Sequence, residues 1–273
     1  MAQTEPIATT PSAPAMPPVI TPLAEEWPEP PYAPTEDDLP DDDGMPMETP
    51  RHLLQMTLLI ETLTIYWADR NDTAVHGNMF VYFSPDQVLT HDYRGPDFFA
   101  AQGVAKRERK SWLTWREGKG PDVVIELLSE TTAKKDKNEK KLIYQDRLRV
   151  PEYFWYDPFS GELAGHILRG SKYVPLAADA QGRLVSEELN LLLTRWEGVY
   201  FDVTATWLRW MTPAGELLPT KDEIASQQRQ RTEAAEQHAG VAEQRAEAAE
   251  QRAKELEELL AQYRAQFGEM PKG

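Results

Sequence analysis

From Pro121 to Ser129 the chain reads Pro-Asp-Val-Val-Ile-Glu-Leu-Leu-Ser, and this run constrains the fold more than any other. Three consecutive β-branched residues without polar alternation, closed off by Pro121 and Ser129, predict a strand covered on both faces. Such a strand belongs inside a sheet that carries structure on each side. Side chains alternate along a strand, so Asp122 and Glu126 share a face, but the strand rise separates them by about 13 Å. They cannot hold one ion together. An acid that meets Glu126 has to come from a different strand. Asp97 is the natural candidate, because Gly95-Pro96-Asp97 opens the apolar run Phe98-Phe99-Ala100.

The surrounding sequence supplies the rest of a domain. Thr49 is a good helix N-cap and Pro50 suits the first helical position. Leu53, Met56, Leu59, Ile60, Leu63 and Trp67 then recur at helical spacing. Short strands are expected at 79–83, 97–101, 111–115 and 122–128, and a strongly charged helix at 134–148. Further strands are expected at 153–156, 162–168, 171–176 and 197–202. A helix, a meander, a helix and more strands indicate an α/β or α+β domain with a mixed β-sheet, spanning 48–215.

Both flanks differ from this centre. Residues 1–50 hold eleven Asp or Glu and no Lys or Arg, amid many prolines. Few large apolar groups follow Ile20, so the segment cannot bury enough surface to offset its ordering entropy. Residues 1–47 are expected to form a disordered acidic, Pro-rich arm. Residues 216–273 form a heptad-repeat segment. Its seam runs through Ile224, Gln228, Arg231, Ala235, Ala239, Ala242, Ala246, Ala249, Ala253, Leu256, Leu260, Tyr263 and Phe267, at steps of four and three over roughly six heptads. One continuous, coiled-coil-like helix is expected from about 222 to 267. It is either a solitary charged helix or the arm of a weak homodimer whose adhesion lies in its last heptads.

Composition excludes several classes. There are no cysteines, so disulfides and thiolate metal sites are out and a reducing, cytoplasmic setting is expected. The five histidines, at 52, 76, 91, 166 and 238, have no zinc-ligand spacing. There is no phosphate-cradling glycine loop and no Gly-x-Ser-x-Gly elbow. No secretory signal is legible at Met1, and no apolar stretch is long enough to span a membrane. The net charge of -16 argues against a nucleic-acid partner, yet residues 106–149 hold thirteen bases against eight acids. Local potential governs such contacts more than total charge.

Three features stand out in 95–144: Asp97 at a strand start, Glu126 at a strand end, and Lys140-Lys141-Leu142-Ile143-Tyr144 on the next helix. Hard carboxylate oxygens suit Mg²⁺, and a lysine beside them can orient water and offset phosphate charge. The words Arg-Gly-Pro-Asp-Phe-Phe-Ala, Pro-Asp-Val-Val-Ile-Glu-Leu-Leu-Ser, Asp-Lys-Asn-Glu-Lys-Lys-Leu-Ile-Tyr-Gln and Arg-Val-Pro-Glu-Tyr-Phe-Trp-Tyr-Asp-Pro follow in order. With them, residues 50–215 resemble the Uma-type family of restriction endonucleases, within the PD-(D/E)xK nuclease superfamily. The resemblance implies a restriction-endonuclease-like fold with Asp97 and Glu126 as metal-binding and catalytic acids. It also implies a Mg²⁺ or Mn²⁺ cofactor and DNA as partner. Leu128 stands where a (D/E)xK lysine would, and the family's lysine lies on the following helix in a Lys-x-x-x-Tyr spacing that Lys140 fits. Glu61, on the first helix, is a further metal-site acid in this reading. The alternative is a catalytically inactive scaffold of the same fold, or a nucleic-acid-binding interaction protein.

Overall fold

The structure is a computed structural model and describes residues 33–39, 49–85, 92–129 and 136–268. The first described element is helix α1 (Pro50–Tyr66), where the Thr49 side chain accepts from the His52 N–H and Pro50 occupies the first turn. Five strands follow: β1 (Thr73–His76), β2 (Val81–Tyr82), β3 (Tyr93–Arg94), β4 (Phe98–Gln102) and β5 (Trp112–Leu113). After the single turn α2 (Thr114–Glu117) comes β6 (Val123–Leu127). Helix α3 (136–148) has a short α stretch, Lys141–Ile143, between two wide π-type turns, Asp136–Lys140 and Tyr144–Leu148. Next are β7 (Glu152–Tyr156), β8 (Leu163–Arg169), β9 (Lys172–Pro175), β10 (Leu184–Ser186), β11 (Leu191–Tyr200) and β12 (Val203–Met211). Helix α4 (Lys221–Phe267) ends the described chain.

The main sheet has the order β1-β4-β6-β7-β8-β9 and is mixed. Only β6 and β7 run parallel within it, and α3 lies in the connection between them, as a parallel pair requires. Every residue of β6 is buried, as its apolar run dictates. On one face Val123, Ile125 and Leu127 pack with Leu59 and Leu63 of α1 and with Leu208 and Trp210 of the β10-β11-β12 sheet. On the other, Val124 and Leu128 pack with Phe99, Tyr153 and the α3 residues Tyr144 and Leu148. Each large apolar side chain buried this way contributes roughly 1.5–3 kcal/mol relative to exposure. This mixed sheet between layers is the predicted fold class.

Several elements depart from the sequence reading. The expected 111–115 strand keeps only two residues before turning into α2, which Gly118 ends at φ 74°. The strand expected to end at 202 is instead a long hairpin, β11 with β12, turning at Phe201 and Asp202 with φ of 45° and 60°. Two-residue turns of this kind usually announce themselves as Asn-Gly or Asp-Gly, and Phe-Asp gives no such signal. The expected disordered arm is ordered over 33–39. There Leu39 packs with Phe80, Tyr82 and Leu113, and the Trp115 indole donates to the Pro34 carbonyl at 3.2 Å. The rest of 1–47 lies outside the described residues. The tail is one helix, and no described helix is long and apolar enough to cross a membrane.

Candidate active site

β4 and β6 are antiparallel neighbours, with Phe98 opposite Ile125. One step further in the same register sets Asp97 opposite Glu126. Directly opposed residues on such strands have Cβ atoms about 4.5–5.5 Å apart. Alternation turns both side chains to the face lined by Phe99 and Val124, beneath α3. The two carboxyls lie close enough for each to shift the titration of the other. Asp97 Oδ2 also accepts from the Leu127 N–H at 2.7 Å, which ties the entry of β4 to the end of β6.

Helix α3 completes the cluster. Lys140 Nζ donates to Glu126 Oε2 at 3.0 Å, and the Tyr144 hydroxyl donates to Glu126 Oε1 at 2.7 Å. Asp136, one turn before Lys140, pairs with the same ammonium at 2.8 Å. The Asp136 main-chain carbonyl accepts from the Tyr153 hydroxyl at 2.9 Å, so the start of α3 is fastened to β7. Asp136, Lys140 and Tyr144 stand four apart and therefore share one side of the helix.

Three acids thus surround one lysine in a buried place. Burial pushes the Glu126 carboxyl up to about 8; Lys140 opposes this, while Asp97 and Asp136 reinforce it. Asp97 is also raised, again by burial first. Burial works against the Lys140 charge, but the surrounding carboxylates outweigh it and hold the ammonium above its ordinary range. Fully ionised, the three acids would carry more negative charge than one lysine neutralises, and a buried unpaired charge is costly. The donor set, two facing carboxylates of hard oxygen, fits a small divalent cation. Such ions commonly take one or two carboxylates and fill the remaining positions with water or substrate oxygens. Among the described residues no group of three or more Asp, Glu, His or Cys side chains is gathered as ligands of one ion.

The other expected residues fall elsewhere. Glu61 is not in this cluster: its carboxylate accepts from the Tyr200 hydroxyl at 3.0 Å and from the Lys221 N–H at 3.1 Å. Asp122 is a structural acid, held by Lys119 at 2.7 Å and by the Gln102 N–H at 2.7 Å. Lys141 turns away from the acids and lies 3.1 Å from His166 Nε2. The basic excess of 106–149 is largely neutralised from within. Arg109 grips Glu117 with two 2.9 Å contacts, Arg107 reaches Glu36 at 3.1 Å, and Arg147 reaches Asp92 at 3.2 Å. The sequence alone does not single out Asp136. Its signal was the spacing Asp136–Lys140–Tyr144, hidden in a charged run.

A family model described as "Uma2: Putative restriction endonuclease" matches residues 43–202. This chain belongs to the Uma2 family. The matched span contains Asp97, Glu126, Asp136 and Lys140. In this Uma2 chain Leu128 is core, 2% exposed, and the ammonium beside Glu126 comes from α3. A crystal structure described as "a putative nuclease belonging to DUF820 from Anabaena variabilis ATCC 29413" is similar at 13% identity, covering 56% of this chain and 88% of that one, with a TM-score of 0.40. No curated protein matches the chain.

Proposed function

We propose that this Uma2 protein is a Mg²⁺-dependent endonuclease, able also to use Mn²⁺, that hydrolyses phosphodiester bonds in DNA. The observation that carries the reading is the facing pair Asp97 and Glu126 with Lys140 Nζ 3.0 Å from Glu126. Asp97 and Glu126 would hold the ion. A bound divalent cation supplies polarisation of the scissile phosphate and a lowered pKa for an adjacent water. Lys140 orients that water and offsets charge building on the phosphate oxygens. Asp136 fixes Lys140, and Tyr144 fixes the Glu126 carboxyl, so neither has to reorganise during the reaction.

The test is plasmid nicking with Mg²⁺ or Mn²⁺. Glu126→Gln is expected to abolish cleavage while keeping the fold, since it removes ligand charge and keeps shape. Lys140→Ala is expected to lower cleavage at least about a hundredfold, in the range of a lost charge-stabilising group, with less effect on metal binding. Lys141→Ala should stay near wild type. Wild-type protein that cuts nothing with either metal, or Glu126→Gln that cuts as well as wild type, overturns the reading.

One observation favours a second reading. The pairing of Arg107, Arg109 and Arg147 with acids of the same chain leaves them poorly placed to meet a phosphate backbone. That suits a scaffold that keeps the fold without the reaction. Calorimetric titration with Mn²⁺ separates the two: the nuclease reading requires binding that Glu126→Gln weakens.

A further inference from the structure

Every residue of α4 from 227 to 266 other than Gly240 is exposed, so among the described residues little packs against the helix along most of its length. Counted strictly by sevens back from Leu260, one core position passes through Ala253, Ala246, Ala239 and Thr232. Counted from Tyr263, the other passes through Leu256, Ala249, Ala242, Ala235 and Gln228. This count moves Arg231 off the seam. Gly240 falls on the outer side, where nothing lies within 4 Å of it.

Between residues 231 and 257 the flanks of this seam are sorted by sign. One flank holds Arg231, His238, Arg245 and Arg252, and the other holds Glu236, Glu243, Glu250 and Glu257. Arg231 and Arg245 have no acid three or four residues away, and Arg252 has only Glu255. Their charge therefore finds little support within the helix, where such pairs form.

We propose that α4 pairs with the α4 of a second copy of this chain as a parallel, in-register, two-stranded coiled coil, its direction set by the two flanks. In a parallel pair each residue of the first flank faces the residue five further on in the partner. Arg231 then meets Glu236 of the partner subunit, Arg245 meets Glu250 of the partner subunit, and Arg252 meets Glu257 of the partner subunit. Symmetry repeats each pair. An antiparallel pair brings base to base and acid to acid. The alanine seam allows close approach but buries little. Adhesion concentrates at Leu256, Leu260 and Tyr263, exposed by 65%, 45% and 51%. The start of α4 is fastened to its own domain by the Thr220–Glu223 capping box and by Arg209 on Glu223 at 2.7 Å. A parallel pair consequently carries both domains at one end.

The chain has no natural cysteine, so single-cysteine variants of the full-length protein report direction cleanly. Ala235→Cys and Ala253→Cys, at opposite parts of the seam, should each cross-link to their own kind under mild oxidation. Ala248→Cys, on the outer face, should not. Sedimentation should show a concentration-dependent dimer. R245E/R252E and E250R/E257R should each weaken it by at least about tenfold in Kd, and an equimolar mixture of the two should restore it. Cross-linking at only one seam position overturns the parallel register. A full-length chain that stays monomeric at high micromolar concentration, or a dimer indifferent to both charge reversals, overturns the proposal altogether.

Discussion

Glu126 is served by two donors of different kinds, the ammonium of Lys140 and the hydroxyl of Tyr144. The hydroxyl is the simpler to remove. Tyr144→Phe keeps the ring against Tyr153, 5.3 Å away and tilted to it, and deletes only the donor. A buried carboxyl oxygen then lacks its partner, which is expected to cost about 1–3 kcal/mol. Denaturant unfolding measures it, and a loss under about 0.5 kcal/mol means water replaces the hydroxyl. Residue identity was legible here where local sequence narrowed the options. The strand rise ruled out Asp122 as Glu126's partner and left Asp97. Lys140 and Lys141 are neighbours of identical chemistry, and only the family's Lys-x-x-x-Tyr spacing separated them. Asp136 was not legible. An acid among five lysines within 134–141 reads as solvated, and its burial is decided by the docking of α3 on β7. Glu61 misled for the converse reason: position on α1 suggested the site, but the tail claims its carboxylate.

Among the elements, the junction of β1 with β4 leaves no room for a side chain at Gly77. A Cβ on Gly77 would stand 2.5 Å from the Asp97 carbonyl oxygen, 2.7 Å from Met56 Sδ and 2.8 Å from Ile60 Cδ1. Backbone cannot give way as a side chain tip can, so Gly77→Ala should displace the entry of β4. A stability loss of about 1–3 kcal/mol is expected from overpacking, together with reduced cleavage, although residue 77 bears no functional group. Thermal unfolding and nicking on the same sample check both. β7 makes a different prediction. Its Glu152 is buried against Ser186 of β10, and burial pushes its carboxyl up to about 7 from an ordinary 4.5. The folded state therefore binds more protons than the unfolded state between about pH 4.5 and 7. Stability contributed below that window is lost as pH rises through it. Stability measured across pH 4.5–7 should fall in wild type and fall less in Glu152→Gln; identical slopes would remove Glu152 from the account. The elements themselves were legible where apolar runs were long, as in β6 and β7. They were not where turn chemistry was silent, as at Phe201 and Asp202, or where a strand was as short as β3 and owed its existence to its neighbour.

For the molecule as a whole, the tail is tied to the domain through few groups. Arg209 is 1% exposed and directs two 2.7 Å contacts to Glu223 and one of 2.6 Å to the Leu218 carbonyl. A chain ending at 220 leaves that guanidinium buried with its acid gone. A chain ending at 235 keeps the pair. The shorter chain should be less stable by about 1–3 kcal/mol, allowing for the partial exposure of Glu223, and the longer one close to full length; equal stability would show that Glu223 gives little. The continuous helix of the tail was fully legible, because Ala, Glu, Gln and Arg favour it and no proline interrupts 221–267.

The exposure of α4 also bears on how unfolding of this protein will look. A helix without packing melts by gradual fraying at its ends, whereas a packed domain melts in one cooperative step. All eight tryptophans lie at or before position 210, so none is in α4. Indole emission will therefore carry no signal from α4. Circular dichroism at the helix band will add a sloping loss from the 47 residues of α4 to the sigmoid of the domain. The two signals should disagree in midpoint and steepness even when the domain unfolds in two states, and the gap between them measures how far the tail is held by a second copy.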